Sequence, residues 1–162
     1  MSSEIYPWQE RSLLLLGEES LLKLRASRVA VIGLGGVGAY AAEMIARAGV
    51  GKMLILDSDV VVSTNKNRQL LALDSTIGQS KAELMKTRLL DINPTIELTV
   101  VSEYLTAENV EGIISPFSPD YVVDAIDTLS PKLSLIAYAY KSGLPLVSSM
   151  GAGAKYDATK VK

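Results

Sequence analysis

The stretch Arg28–Asp57, RVAVIGLGGVGAYAAEMIARAGVGKMLILD, decides how this chain folds. A short apolar run, Val29–Ile32, stops at Gly33. Gly33, Gly35 and Gly38 then fall in GxGxxG spacing, with Gly36 between them. An alanine-rich helical pattern continues to Arg47, and a second apolar run, Met53–Leu56, ends at Asp57, 19 residues beyond Gly38. Strand, tight turn, helix, strand and acid in that order are the layout of a nucleotide cradle. A phosphate needs backbone N–H groups and the positive end of a helix dipole, and residues without a Cβ let the backbone come close to it. An acid about 20 residues downstream stands at the tip of the second strand, where a ribose hydroxyl can donate to it. A plainer reading uses the same residues without a ligand: glycines that only make a tight turn, and an acid that only faces solvent.

On either side of that stretch, strand and helix patterns alternate. Glu10–Leu16 and Glu18–Leu24 read as two short helices broken at Gly17, so residues 1–27 form an N-terminal helical segment ahead of a domain from residue 28 to 162. Leu13–Leu16 reads as core or dimer surface, and Trp8 and the tyrosines as packing residues. Ser58–Leu73 is a polar excursion, followed by a helix from about Gln79 to Asp91 that ends before Pro94. Glu97–Val101 is a third strand, and Thr106 is expected to cap a helix running to about Ile114. Tyr121–Ile126 is a fourth strand, Ser130-Pro131 a helix start, and Leu146–Ser148 a fifth strand. The expected fold class is α/β, a Rossmann-like doubly wound sheet, mainly parallel, with helices on both faces. Ligands in such sheets lie at the carboxyl ends of the strands.

Composition narrows the chemistry. The 162 residues include no cysteine and no histidine, which excludes disulfides, thiolate zinc sites, a thiol nucleophile and a histidine base within the chain. Any metal must take oxygen ligands, which points to Mg²⁺ shared with a phosphate. A net charge of −2 gives no general nucleic-acid-binding surface. The N-terminus lacks the basic start and apolar core of a signal peptide. The charge-free stretch Val29–Ala42 has 14 residues, short of the about 20 that span a membrane, so no membrane segment is expected; no compartment is dictated, and a cytoplasmic protein is the default expectation.

Candidate site residues gather at the strand ends. After Asp57 come Asp59, Asn65, Asn67, Arg68 and Gln69, and Lys81 follows near a helix start, where the helix dipole disfavours a structural cation. Polar and cationic groups beside an acid-tipped strand suit a triphosphate better than a hydride donor. The fourth strand delivers Asp124 and Asp127, which could hold Mg²⁺ against phosphate oxygens. The plainer reading of Asp124 is that it only satisfies backbone groups or holds the glycine turn. Ser148, Ser149 and Gly151 fit backbone packing as well as substrate contact. The glycine motif with Asp57 taken alone also fits an NAD-binding oxidoreductase or sensor, although the second domain that a dehydrogenase uses is absent from this length.

GLGGVG, LDSDVVVSTNKNRQ, TIGQSK, INP and VVDAIDT, in that order, resemble the ubiquitin-like-protein activating superfamily, which includes the sulfur-carrier adenylyltransferases. DAIDT followed by SSMGAG is most similar to the bacterial tRNA threonylcarbamoyladenosine dehydratases. The resemblance implies ATP and Mg²⁺. It gives the phosphate cradle to Gly33, Gly35, Gly36 and Gly38, the ribose to Asp57, the triphosphate to Asn65, Arg68 and Lys81, and the metal to Asp127. Arg11 lies where the family places an arginine that reaches into a neighbouring subunit's site, so a homodimer is implied. The implied reaction is attack of a substrate carboxylate on the α-phosphate of ATP, with catalytic roles for Arg68, Lys81, Asp127 and Arg11. The substrate would be the threonylcarbamoyl group on a tRNA adenosine or, alternatively, the C-terminus of a ubiquitin-like carrier protein. The carrier-activating branch usually has paired cysteines, which this chain lacks. The dehydratases run beyond residue 162, so the chain is expected to be part of a longer protein and to be inactive alone.

Overall fold

A computed structural model describes residues 5–151 and 157. The elements run α1 (Glu10–Leu16), α2 (Glu18–Ala26), β1 (Arg28–Ile32), α3 (Gly38–Ala48), β2 (Lys52–Leu56), α4 (Lys81–Ile92), β3 (Glu97–Val101), α5 (Val110–Phe117), β4 (Tyr121–Asp124), α6 (Leu129–Lys141) and β5 (Leu146–Ser148). The five strands form one sheet in the order β3-β2-β1-β4-β5, and every neighbouring pair is parallel. Parallel neighbours need crossovers, and the helices supply them on both faces. The Rossmann-like expectation is met.

Alternation along β1 and β2 divides the core between the two faces. Val29, Val31, Met53 and Ile55 pack with Ala39, Ala42 and Ala46 of α3 and with Met85 and Leu89 of α4. Ala30, Ile32, Leu54 and Leu56 pack with Ile114 and Phe117 of α5 and Leu135 of α6. The alanines let α3 lie close to the sheet. Glu43, buried on α3, binds Arg47 one turn along the helix at 2.8 Å and Arg88 of α4, clamping the two helices together. The hydrogen bond from Arg88, helped by Arg47, holds the Glu43 carboxyl below its usual range. Leu24 of α2 joins the same core, and the Gly51 amide donates to its carbonyl at 3.3 Å.

Several element boundaries differ from the sequence reading, for local reasons. Thr106 caps a turn, accepting from the amides of Glu108 and Asn109, and α5 begins only at Val110. β4 stops at Asp124 because the next amide but one, Ile126 N–H, donates to the Asp124 side chain at 3.1 Å and turns the chain. α6 begins at Leu129 behind Thr128, so Pro131 is its third residue. Proline is tolerated there because first-turn N–H groups have no intrahelical partner. Ser80 caps α4, accepting from the Glu83 amide, which makes Lys81 the first helical residue. Leu14, Leu15 and Leu16 are exposed and not core. Trp8 and the tyrosines at 40, 104, 121 and 140 are also largely exposed, against the packing role expected of them. Among the described residues no helix is long and apolar enough to cross a membrane.

Candidate nucleotide site at the strand ends

A cavity of about 620 Å³ opens at the carboxyl ends of β1, β2 and β4. β1 and β4 are the strands from which the sheet order runs in opposite directions, the place where ligands bind in open α/β sheets. Its floor is the glycine turn. Gly33 has φ +92°, and a Cβ there would press on the Ala125 carbonyl oxygen at 2.8 Å. At Gly38 a Cβ would meet the Gly33 carbonyl oxygen at 1.8 Å, so this glycine serves helix–strand packing and does not line the cavity. Gly35 and Gly36 do line it, facing the side chains of Gln69 and Arg68. At the N-cap of α3, Val37 offers no side-chain acceptor; the Ala39 amide donates to the Gly35 carbonyl at 3.4 Å, and the helix end suits an anionic ligand.

Asp57 joins the turn to the tip of β2. Its Oδ2 accepts from the Leu34 amide at 2.7 Å and its Oδ1 from the Asp59 amide at 2.8 Å. Burial pushes this carboxyl up from its ordinary value; the two amides and the Lys81 charge pull it partly back. Each carboxylate oxygen keeps a lone pair for a further donor, so anchoring the turn and accepting from a ribose hydroxyl are compatible roles. Lys81 is 4% exposed, and its ammonium meets Asp59 Oδ2 at 2.8 Å. Asp59 therefore orients that lysine.

Arg68 lies over Gly36, and its Nη1 donates to the Thr64 carbonyl and to Asn67 Oδ1. Gln69 Oε1 is buried beside the turn with no partner among the described residues, as expected of an atom waiting for a ligand or water. Asp127 lines the cavity from the loop after β4, exposed and beside Thr128.

The cavity therefore brings together Gly33, Gly35, Gly36, Asp57, Asp59, Arg68, Gln69, Lys81 and Asp127. Of the sequence candidates, Gly38, Asn67, Ser148, Asn65, Asp124 and Arg11 fall outside its lining. Asn65 is buried and caps its own turn, accepting from the Val62 amide at 3.1 Å, while its carbonyl accepts from the amides of Arg68 and Gln69. It shapes the segment that carries Arg68 and Gln69. Asp124, weighed above as a metal ligand, is fully buried and paired with Lys132 at 2.6 Å. An ammonium already holds the lone pairs that a cation would need. Arg11 is exposed on α1, away from the cavity of its own chain. Among the described residues no three carboxylates gather as a metal cage, so Asp127 suits a metal held mainly by phosphate and water.

Lys132 was missed in the sequence. It stands at i, i+3, i+7 spacing with Leu135 and Ala139, the buried face of α6, and a cation on such a face signals a buried acid partner.

Fold and cavity together define a Rossmann-like α/β domain with an open site at its switch point. Residues 9–162 match the model of the ThiF family, and the chain belongs to that family. It is 48% identical over 93% of its length to the tRNA threonylcarbamoyladenosine dehydratase of Bacillus subtilis, and 38% identical over 82% to the molybdopterin-synthase adenylyltransferase of Escherichia coli. It spans 59% and 51% of those two relatives' lengths. The solved E. coli tRNA N6-threonylcarbamoyladenosine dehydratase in complex with AMP superposes with a TM-score of 0.90 at 41% identity, covering 98% of this chain and 65% of that one. The complex of the same enzyme with ATP gives 0.88 at 42%, covering 94% and 63%.

Proposed function

We propose that this domain binds ATP and presents its α-phosphate to a substrate carboxylate, in the protein that carries out tRNA threonylcarbamoyladenosine dehydration. The observation that carries this reading is the convergence of the Gly35–Gly36 turn, Arg68 and Lys81 on one cavity at the strand ends. The relatives named as dehydratases, and their structures with AMP and ATP, support it.

The chemistry follows from charge. A carboxylate approaching a polyphosphate is an anion approaching an anion, so positive potential must already be in place. Lys81, oriented by Asp59, and Arg68, held by Thr64 and Asn67, supply it without reorganising during the reaction. The carboxylate oxygen bonds to the α-phosphorus and pyrophosphate leaves with the electron pair of the broken P–O bond. The nucleophile is already ionised at neutral pH, so no histidine base is required. Asp127 would hold Mg²⁺, which when bound neutralises phosphate charge. Closure of the activated threonylcarbamoyl group on itself would then expel AMP.

Incubating the full-length protein with Mg-ATP and threonylcarbamoylated tRNA should yield AMP and the cyclised nucleoside. An unchanged nucleoside, with pyrophosphate exchange that needs a Gly-Gly-ended protein, would assign the domain to carrier-protein activation instead. Binding of NAD(H) with no response to Mg-ATP would overturn adenylation altogether. The reaction would take place where ATP and tRNA are both present, as they are in the cytoplasm.

Arg11, exposed on α1, would complete the site of a second copy in a homodimer. Mixing inactive Arg11→Ala and Lys81→Ala proteins should then restore activity, because one site of each mixed dimer has both residues. Failure to complement, with dimers present, would remove the role in trans.

A further inference from the structure

The part of the cavity wall formed by the loops after β4 and β5 is built on a buried polar cluster that the chemistry above does not use. Asp124, the last residue of β4, lies beside Ser148, the last residue of β5, as its parallel register partner. Lys132 reaches between them from the first turn of α6. Its Nζ donates to Asp124 Oδ2 at 2.6 Å and to Ser148 Oγ at 3.3 Å. Ser148 Oγ donates to Asp124 Oδ2 at 2.6 Å and accepts from the Met150 amide at 3.1 Å. Asp124 Oδ1 accepts from the Ile126 amide, and the Asp124 carbonyl accepts from the Ser149 amide. Asp124 and Ser148 are thus each tied to the loops that leave the strand ends, and Lys132 joins the two.

Those loops are cavity wall: Ala125–Thr128 on one side and Ser149–Gly151 on the other. Met150 has φ +54°, a left-handed conformation that a residue with a Cβ keeps only when its surroundings enforce it. The bond from its amide to Ser148 Oγ is the enforcing contact. Asp124 carries a second anion at the same strand end as Asp127. Without Lys132, the cavity that must attract a polyphosphate would have an uncompensated carboxylate just behind its wall.

The geometry points to Lys132 as a positioning residue: pinned between Asp124 and Ser148, it latches the ends of β4 and β5 so that the Asp127 loop and the Met150 turn stand where a nucleotide needs them. The link to nucleotide rests on the ATP reading above; the latch itself does not.

Two variants of the full chain test it. Ser148→Ala removes the relay to Met150, and Asp124→Asn/Lys132→Gln removes both charges together, so that neither is left buried alone. In ligand-free protein, hydrogen exchange at the Ile126 and Met150 amides should quicken at least tenfold in the double variant, and at Met150 in Ser148→Ala. The Leu34 and Asp59 amides, held by Asp57, should be unchanged. Unaltered exchange at Ile126 and Met150, or an equal rise at all four amides, would overturn the latch. In titrations with Mg-ATP the double variant should bind at least tenfold more weakly than the wild type; equal affinity would overturn its connection to the site. A wild-type protein that does not bind Mg-ATP would defeat the ATP reading, and the exchange result would still decide the latch.

Discussion

The tips of β2 and β4 each end in a buried acid, and the protein neutralises the two by opposite means. Asp57 is held by backbone amides from the glycine turn and from its own loop, with Lys81 near enough to help but bonded to Asp59. Asp124 is held by the ammonium of Lys132 and by a hydroxyl. Amides leave the first carboxylate on the cavity wall with lone pairs to offer. A direct ammonium contact consumes the second and turns it into scaffold. Two aspartates in equivalent places of one sheet thus separate into one that can meet a ligand and one that shapes the wall.

The largest effect expected from this contrast is at Lys132. Lys132→Met leaves Asp124 buried without its counter-charge, which should cost about 3–5 kcal/mol and lower Tm by roughly 6–20 °C. A melting temperature within a degree or two of wild type would show that the pair is not the buried anchor described. Lys81→Ala removes an equally buried lysine, but its partner Asp59 is exposed and can turn to water. Stability should therefore fall little, while adenylate formation drops on the order of 100-fold, as should happen with Arg68→Ala. Wild-type rates in a pyrophosphate-release assay would contradict both roles.

The glycines divide in the same way. Gly38→Ala collides with the Gly33 carbonyl and should lower Tm, whereas in Gly36→Ala the added methyl meets the Arg68 side chain at 3.4 Å and its carbonyl oxygen at 3.5 Å, both ordinary contacts. The second variant should melt like wild type and bind Mg-ATP less tightly, because the added methyl crowds the phosphates. Intact affinity would place the phosphates elsewhere.

The smallest expected effect is the pH dependence of stability. Burial raises the Asp57 pKa, so its ionisation works against the fold, and that contribution to stability declines as pH rises through the raised value. Glu43, with its pKa lowered by Arg88 and Arg47, behaves oppositely: its stabilisation is present above the ordinary glutamate range and fades as pH falls through the lowered value. Melting curves from pH 3 to 7 should show the deficit of Glu43→Gln growing with pH and that of Asp57→Asn shrinking. Parallel curves would deny the difference.

The half of the candidate cavity around β1 and β2 was legible in the sequence, because glycine spacing, strand length and the distance to Asp57 are local features. The five strands were legible for a similar reason, since short apolar runs between turn residues survive any change of neighbours. Asn65 and Asp124 were read as ligand-binding candidates because their residue type fits that role. Only the fold shows that one caps its own turn and that the other meets Lys132. Helix starts at Val110 and Leu129 were misplaced because Thr106 and Ser130 have capping chemistry that the chain uses for a turn or leaves inside the first helical turn.

A crystal structure of the protein with Mg-ATP bears most directly on the account. The triphosphate should lie against the amides of Gly35 and Gly36, with Arg68 and Lys81 within hydrogen-bonding distance and the ribose at Asp57. Phosphates bound away from those cations, or a nucleotide whose ribose points away from Asp57, would contradict it.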